Sequence, residues 1–480
     1  MPVSSLPSPW GIGTLGKAAY EFIDFLKAAG QSWWQLLPLG PTSYGDSPYA
    51  SLSSFAGNPY FIDPDMLIEE GLLTASELEA TDWGKDPARV DYGKIYEGRF
   101  ELLRKAFERG REKLKGETEA FLAENRGWLS NYALYMALKT GFSMKPWTEW
   151  PEDIKKREPA ALEKYSSELK EETDFWVFVQ YLFFKQWNAL RDYARAAGIG
   201  FIGDVPIYVA LDSADVWAEK EFFLLDEDCC PKEVSGVPPD NFTEDGQLWG
   251  NPLYDYEKMK ADGFGWWIRR IEGATKLYDA IRIDHFRGFE SYWAVPCGEK
   301  TAKNGCWRKG PGIALVGVLT SWFAGTEFIA EDLGYLTPEV RSLLEESGLP
   351  GMKVLEFAFD AHGDSVYLPH CCIPNSCCYI GTHDNDTAAG WAASLSKEDR
   401  AFARKYMHIG RAEGWAEGMI RTGMASCSNL FVMQMQDVLN LGSEARINTP
   451  GTAQGNWVWR MTAMPKPEKI RELTEIYGRL

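Results

Sequence analysis

The chain has 480 residues, 45% hydrophobic and 25% charged, enough for one large domain or two to three smaller ones. With 50 Lys and Arg against 69 Asp and Glu the formal charge is −19, which disfavours nucleic acid and anionic membrane surfaces as partners. No apolar run is long enough to span a bilayer, and Met1-Pro-Val-Ser-Ser-Leu-Pro-Ser-Pro-Trp10 lacks the basic and apolar regions of a signal peptide, so a cytoplasmic protein is expected.

Taken in chain order, strand character appears first at Trp33–Leu39 and Pro59–Asp63. From about Met66 to Thr173 the chain is rich in Glu, Lys and Leu and reads as helix. No Gly/Ser- or Pro-rich linker flanks this stretch, so residues 66–173 are expected to be a helical insertion within one catalytic domain spanning 1–480. Phe175–Ala197 continues as helix, with Val177, Tyr181, Phe184, Trp187 and Leu190 at helical spacing. Strand runs follow at Ile199–Val205, Asp279–Asp284, Glu327–Asp332, Lys353–Ala358, Cys378–His383 and Leu430–Gln436. Strands alternating with helices argue for parallel pairing through crossover helices, and eight such runs suit a (β/α)8 barrel with inserted, mainly helical subdomains. Residues 234–256 hold too much Pro, Gly and Asn for helix or strand and read as a long loop over the active site.

Three acids stand where strand runs end. They are Asp284 in Ala280-Ile-Arg-Ile-Asp-His-Phe-Arg-Gly288, Glu331 in Phe328-Ile-Ala-Glu-Asp-Leu-Gly334 and Asp384 in Tyr379-Ile-Gly-Thr-His-Asp-Asn385. The C-terminal ends of barrel strands are where such folds keep their chemistry. Arg282 and Asp284 share a strand face, and an arginine there holds a carboxylate ionised, as a nucleophile requires. Glu331 follows Phe328-Ile-Ala330, so an apolar setting should raise its pKa towards that of a general acid. Read without these functions, the same residues would be a structural ion pair, a strand-end cap and a helix N-cap.

A metal centre is a poorer fit. The chain has five His, and none form His-x-His or His-Glu-x-x-His, so metal-free catalysis without a cofactor is expected. The nine Cys include the adjacent pairs Cys229-Cys230, Cys371-Cys372 and Cys377-Cys378, but not two spaced zinc-type units, and reduced thiols are expected. Aromatics are abundant, with 20 Trp, 21 Tyr and 25 Phe. Most must be core, whereas Trp10, Tyr49 and Trp249 lie in polar Gly/Pro segments suited to stacking on sugar rings.

These segments together resemble the 4-α-glucanotransferases known as amylomaltase or disproportionating enzyme, in the α-amylase superfamily. The matching pieces run nearly end to end: Leu6–Gly13, Ser47-Pro-Tyr49, Phe55–Tyr60, Gly203-Asp-Val-Pro-Ile-Tyr208, residues 238–254, Arg282–Gly288 and Ala330–Gly334. Gly351–Leu355, Gly381–Asn385, Gly442–Arg446 and Gly455-Asn-Trp457 complete them. The cysteines before Gly381 depart from the family pattern. The resemblance implies a barrel fold, with Asp284 as nucleophile, Glu331 as acid/base and Asp384 as transition-state stabiliser. It implies that Asp204, Arg282 and His383 orient the sugar before the cleaved bond, and that Tyr49, Trp249, Gly250, Asn251 and Asn456 also bind substrate. The implied partners are α-1,4-glucans and maltooligosaccharides as donors, with glucose or a glucan as acceptor. A hydrolase on the same fold shares every step except the acceptor, and a glucan-binding protein without turnover would not need three intact acids.

Overall fold

The computed structural model describes residues 1–480 apart from 240–242, 335, 364 and 411. Its eleven strands, among the described residues, are β1 Trp33–Gln35, β2 Gly200–Val205, β3 Glu233–Val237, β4 Gln247–Pro252, β5 Ala280–Ile283, β6 Ser291–Pro296, β7 Cys306–Lys309, β8 Glu327–Ala330, β9 Gly351–Val354, β10 Ser376–Tyr379 and β11 Leu430–Val432. Seven form one all-parallel sheet in the order β1-β2-β5-β8-β9-β10-β11, so each barrel strand pairs with the next in the chain. The sheet curls into a nearly closed barrel, and Tyr379 on β10 reaches across to β1, donating its hydroxyl to Gln35 Oε1 at 3.0 Å.

Alternation along each strand separates two apolar layers. Ile202, Ala280, Ile329, Met352, Val354, Cys377 and Tyr379 pack together inside the barrel. Ile281, Ile283, Phe328, Ala330 and Cys378 belong instead to the outer core shared with the helices. Among those helices, Gly265–Leu277 precedes β5, Ile313–Trp322 precedes β8, Pro338–Ser347 precedes β9 and Trp415–Met424 precedes β11.

One expected strand is absent. Pro59–Phe61 is a 3₁₀ turn capped by Asn58, whose side chain accepts from Tyr60 N at 3.0 Å. Asp63 then caps the helix Pro64–Glu69 through Met66 N at 3.1 Å. The run is apolar and buried, but Asn-Pro turn and cap chemistry overrides it. Helices from Pro64–Glu69 to Pro159–Glu168 therefore lie between β1 and β2, directly paired strands, and lead into the long helix Lys170–Ala197. That helix grips the preceding loop with two buried amides. Gln180 exchanges bonds with Gly57 N and O at 2.8 and 2.9 Å, and Gln186 with Asp63 N and O at 2.6 and 3.1 Å.

The stretch 234–256 also differs from the expected irregular loop. Strands β3 and β4 form an antiparallel hairpin within a second sheet, ordered β4-β3-β6-β7. A register shift between Val234 and Gly236 and the positive φ of Gly250 (+79°) let a Gly-rich segment pair despite its composition. Residues 240–242, between β3 and β4 in the chain, lie outside the described residues.

Candidate active site

The inner-face rows of the barrel turn polar at the C-terminal ends of the strands. On β2 the inward Ile202 is followed two residues on by Asp204, on β5 Ala280 by Arg282 and then Asp284, and beyond β8 Ile329 by Glu331. Asp204 lies opposite Arg282 in the ladder, and Arg282 opposite Ile329. Backbone pairing continues past the strands, from Asp284 N to Val205 O and from Glu331 N to Ile283 O, both 3.0 Å. Register and alternation thus bring three acids and an arginine to one mouth.

Arg282 lies at the centre of this group. Its Nη1 donates to both oxygens of Asp204 at 2.7 Å and to Asp284 Oδ1 at 3.0 Å. Burial works against the guanidinium charge, but Asp204 and Asp284 outweigh it and hold Arg282 charged. Asp204 is 3% exposed, and its second oxygen also accepts from the Tyr49 hydroxyl at 2.7 Å.

Glu331 occupies a different setting. It is 8% exposed, and each carboxyl oxygen accepts one backbone N–H at 2.7 Å, Oε2 from His285 and Oε1 from Leu333. Burial raises its pKa to about 8, against the pull of Arg282 and with a further push from Asp284. His285, in a left-handed conformation at φ 51°, is lowered to about 3 by burial and by Arg287, so its ring is neutral near pH 7.

Asp384 is the most open of the three. His383 Nε2 approaches its Oδ1 at 3.3 Å and Asn448 Nδ2 donates to the same oxygen at 2.6 Å. Arg446 donates to the Asp384 carbonyl at 2.6 Å. Tyr49 joins this acid to the others. Its ring stacks on His383 at 4.9 Å, and its hydroxyl is 3.3 Å from His383 Nδ1 while it donates to Asp204.

Among the remaining expected residues, Trp249 is 38% exposed and sits edge-to-face on His285 with ring centroids 4.8 Å apart. Gly250 and Asn251 follow on β4, and Asn251 anchors that strand by donating to Val209 O at 3.0 Å and accepting from Ser235 Oγ at 3.1 Å. Asn456 spends its amide within its own loop, accepting from Thr449 N and donating to Thr452 O, both 2.9 Å. No contact among the described residues brings Trp10 to the acids. It donates to Asp65 Oδ2 at 2.8 Å and packs on Trp83 at 5.9 Å.

Sequence reasoning assigned no role to Trp457, Arg446 and Asn448, and weighed His285 only as a metal ligand. Trp457, held at φ 64°, lies 5.8 Å from the His383 ring and 5.9 Å from Tyr49. Gly442–Arg446 and Gly455-Asn-Trp457 were visible as motifs, but nothing local shows that they fold back onto Asp384. Among the described residues, no group of three or more His, Cys, Asp or Glu could hold a metal ion.

A family model described as 4-alpha-glucanotransferase matches residues 1–465. The chain belongs to the 4-alpha-glucanotransferase family. It is 48% identical over 485 residues to the 4-alpha-glucanotransferase of Clostridium butyricum, covering 100% of both chains. To that of Thermus thermophilus it is 48% identical over 469 residues, 95% of this chain and 93% of the relative. The structure of amylomaltase from Streptococcus agalactiae in complex with acarbose aligns with a TM-score of 0.97 at 41% identity, covering 100% of this chain and 98% of that one. At the mouth of the barrel, Glu331 is buried and bonded by backbone N–H groups, whereas Asp284 lies against the Arg282 guanidinium.

Proposed function

We propose that the site transfers a segment of an α-1,4-glucan to the 4-hydroxyl of an acceptor glucose or glucan by retaining double displacement. The observation that carries this reading is the contrast between a buried Glu331 that holds its proton and an Asp284 in contact with Arg282. Glu331 donates its proton to the glycosidic oxygen while Asp284 attacks the anomeric carbon. The leaving glucan departs, and a glucosyl ester forms on Asp284 through an oxocarbenium-like transition state that Asp384 stabilises. Glu331, now a carboxylate, takes the proton from the acceptor hydroxyl as it displaces Asp284, restoring both acids. Asp204, Arg282, His383 and Tyr49 orient the sugar before the cleaved bond. The hairpin within 234–256 covers the cleft and offers Trp249 to the acceptor, with the 66–173 helices as an insertion within the catalytic barrel.

The donors are maltooligosaccharides and starch- or glycogen-type glucans, and the compartment is the cytoplasm, in keeping with nine free cysteines. No helix among the described residues is long and apolar enough to cross a membrane. Incubation with maltotriose tests the reading. Glucose, maltose and a ladder of longer glucans should form with almost no rise in total reducing ends. A rise in proportion to bonds cleaved would replace it with hydrolysis.

A further inference from the structure

Beneath the turn that carries His383 and Asp384 lies a second set of carboxyls that the chemistry above does not use. Glu356 sits in the 3₁₀ turn Leu355–Phe357 that follows β9. Its N–H donates to Ile380 O at 3.1 Å, and its carbonyl accepts from Trp391 Nε1 at 3.0 Å. The side chain is 9% exposed and faces Gly381, where an added β-carbon would lie 2.8 Å from Glu356 Oε1 and 2.9 Å from Gln434 Nε2. The Asn385 β-carbon packs on the same spot, 2.9 Å from that added β-carbon. The Asn385 side-chain oxygen in turn accepts from Thr382 N and Thr382 Oγ1, both at 2.9 Å. Thr382 and Asn385 bracket His383 and Asp384, so the Glu356 carboxyl packs against the base of a turn that is held by its own hydrogen bonds.

The surroundings of Glu356 disfavour a negative charge. Asp437, 1% exposed on the short helix Met435–Val438, faces it and accepts from Ala388 N at 2.7 Å. Asp386 faces it from the turn, accepting from Ser443 Oγ at 2.7 Å. The nearby cation is Arg446, which directs its donors to Asn448 O at 2.8 Å and Asp384 O at 2.6 Å. Among the described residues Glu356 Oε1 and Gln434 Nε2 have no hydrogen-bond partner. Burial first, then Asp437 and Asp386, push Glu356 well above the usual carboxylate range, and burial pushes Asp437 to about 7. Like charges in a buried site cannot all ionise cheaply, and a protonated carboxyl relieves the conflict.

We propose that Glu356 is a positioning residue for the His383–Asp384 turn and that it works as a neutral carboxyl. The inference rests on the assignment of Asp384 to the transition state. A neutral carboxyl and an amide have the same shape and similar hydrogen-bonding capacity. Gln should therefore replace Glu356, whereas Ala should release Asn385 and let the turn drift.

The test is maltotriose disproportionation by the full chain, with kcat, KM and Tm measured for each variant. Glu356→Gln should stay within about threefold of wild type in kcat. Glu356→Ala should lose on the order of 10²-fold in kcat with KM little changed, as expected when a reacting group is misplaced. Asn385→Ala should show the same signature, and the double variant Glu356→Ala/Asn385→Ala should be no worse than the poorer single one. The Tm of Glu356→Gln should gain on wild type as pH rises, because a raised carboxyl pKa contributes stability at low pH that is lost on ionisation. Wild-type kcat in Glu356→Ala, a Gln variant as poor as Ala, or additive losses would each overturn the proposal. Should Glu356→Ala not fold, Glu356→Gln and Asn385→Ala decide it: the first must be active and the second impaired in kcat. Asp384→Asn separates the two readings. Retained activity there sinks the Asp384 assignment, whereas an inactive Asp384→Asn beside unimpaired Glu356→Ala and Asn385→Ala sinks the inference alone.

Discussion

Arg282 on β5 and Asp284 just beyond its end meet at 3.0 Å, and the same Arg282 nitrogen clamps both oxygens of Asp204 at 2.7 Å. One guanidinium therefore holds two carboxyls at once, the buried Asp204 and the proposed nucleophile Asp284. Replacing it with Met should strand the buried Asp204 charge and cost about 3–5 kcal/mol of stability, visible as a lower Tm. Pairing Arg282→Met with Asp204→Asn should recover much of that stability and little of the activity. If the double variant regains wild-type turnover, Arg282 contributes only to folding.

Asp284→Ala should reduce maltotriose turnover by roughly 10⁴–10⁶-fold while leaving a folded protein, the scale seen when a nucleophile is removed. Mass spectrometry of wild type mixed with a glucosyl fluoride should find a sugar ester on the peptide containing Asp284. A variant with a tenth of the wild-type rate would reassign the nucleophile.

Glu331 links activity and stability to pH. Burial raises its pKa in the folded protein to about 8, above the usual carboxyl value of 4.5, so the acid form proposed to protonate the glycosidic oxygen prevails at neutral pH. The rate should decline as pH rises through about 8. The stability this carboxyl supplies is fully present below about 4.5 and is lost as pH climbs towards 8 and beyond. Glu331→Gln should therefore be nearly inactive on glucans yet gain in Tm over wild type as pH increases. It should recover part of its rate on a glucosyl fluoride, whose leaving group needs no proton. A Tm difference that stays flat from pH 5 to about 9 would contradict the proton-holding role.

Trp249 stands partly open against His285, and the proposed function makes it the platform for the acceptor sugar. Trp249→Ala should raise the share of hydrolysis and weaken the dependence of rate on added glucose. Transfer must beat water at about 55 M, and oriented groups do so through effective molarities of roughly 10⁵–10⁸ M. An unchanged ratio of reducing ends to glucan products would remove Trp249 from the acceptor site.

The parts of this site readable in the sequence are those governed by the two-residue strand repeat. Ile281 and Ile283 outward and Arg282 and Asp284 inward follow from that period, and so does the apolar setting of Glu331. The eighth strand was misread because Pro59-Tyr-Phe-Ile has strand composition, while Asn58 and Asp63 at its borders act as caps and bend it into turns. The hairpin around Trp249 was misread for the converse reason, since Gly236 and Gly250 are accommodated by a register shift and a positive φ. Arg446 and Trp457 stand in recognisable motifs and Asn448 in none, but nothing local shows where any of them goes. They reach Asp384 and Tyr49 only through tertiary folding, and no period in the chain encodes that return.

The neighbour of Trp457 bears on how the molecule is made. Arg460 donates to Leu6 O across a separation of 454 residues, Met461 N pairs with Ser5 O, and Ser5 Oγ donates to Trp459 O. At about 5–20 residues per second on a ribosome, Leu6 waits roughly 20–90 s for that partner. Until then the ring beside Tyr49 and His383 is not in place, so a nascent chain can hold a nearly complete barrel whose mouth still lacks one of its walls.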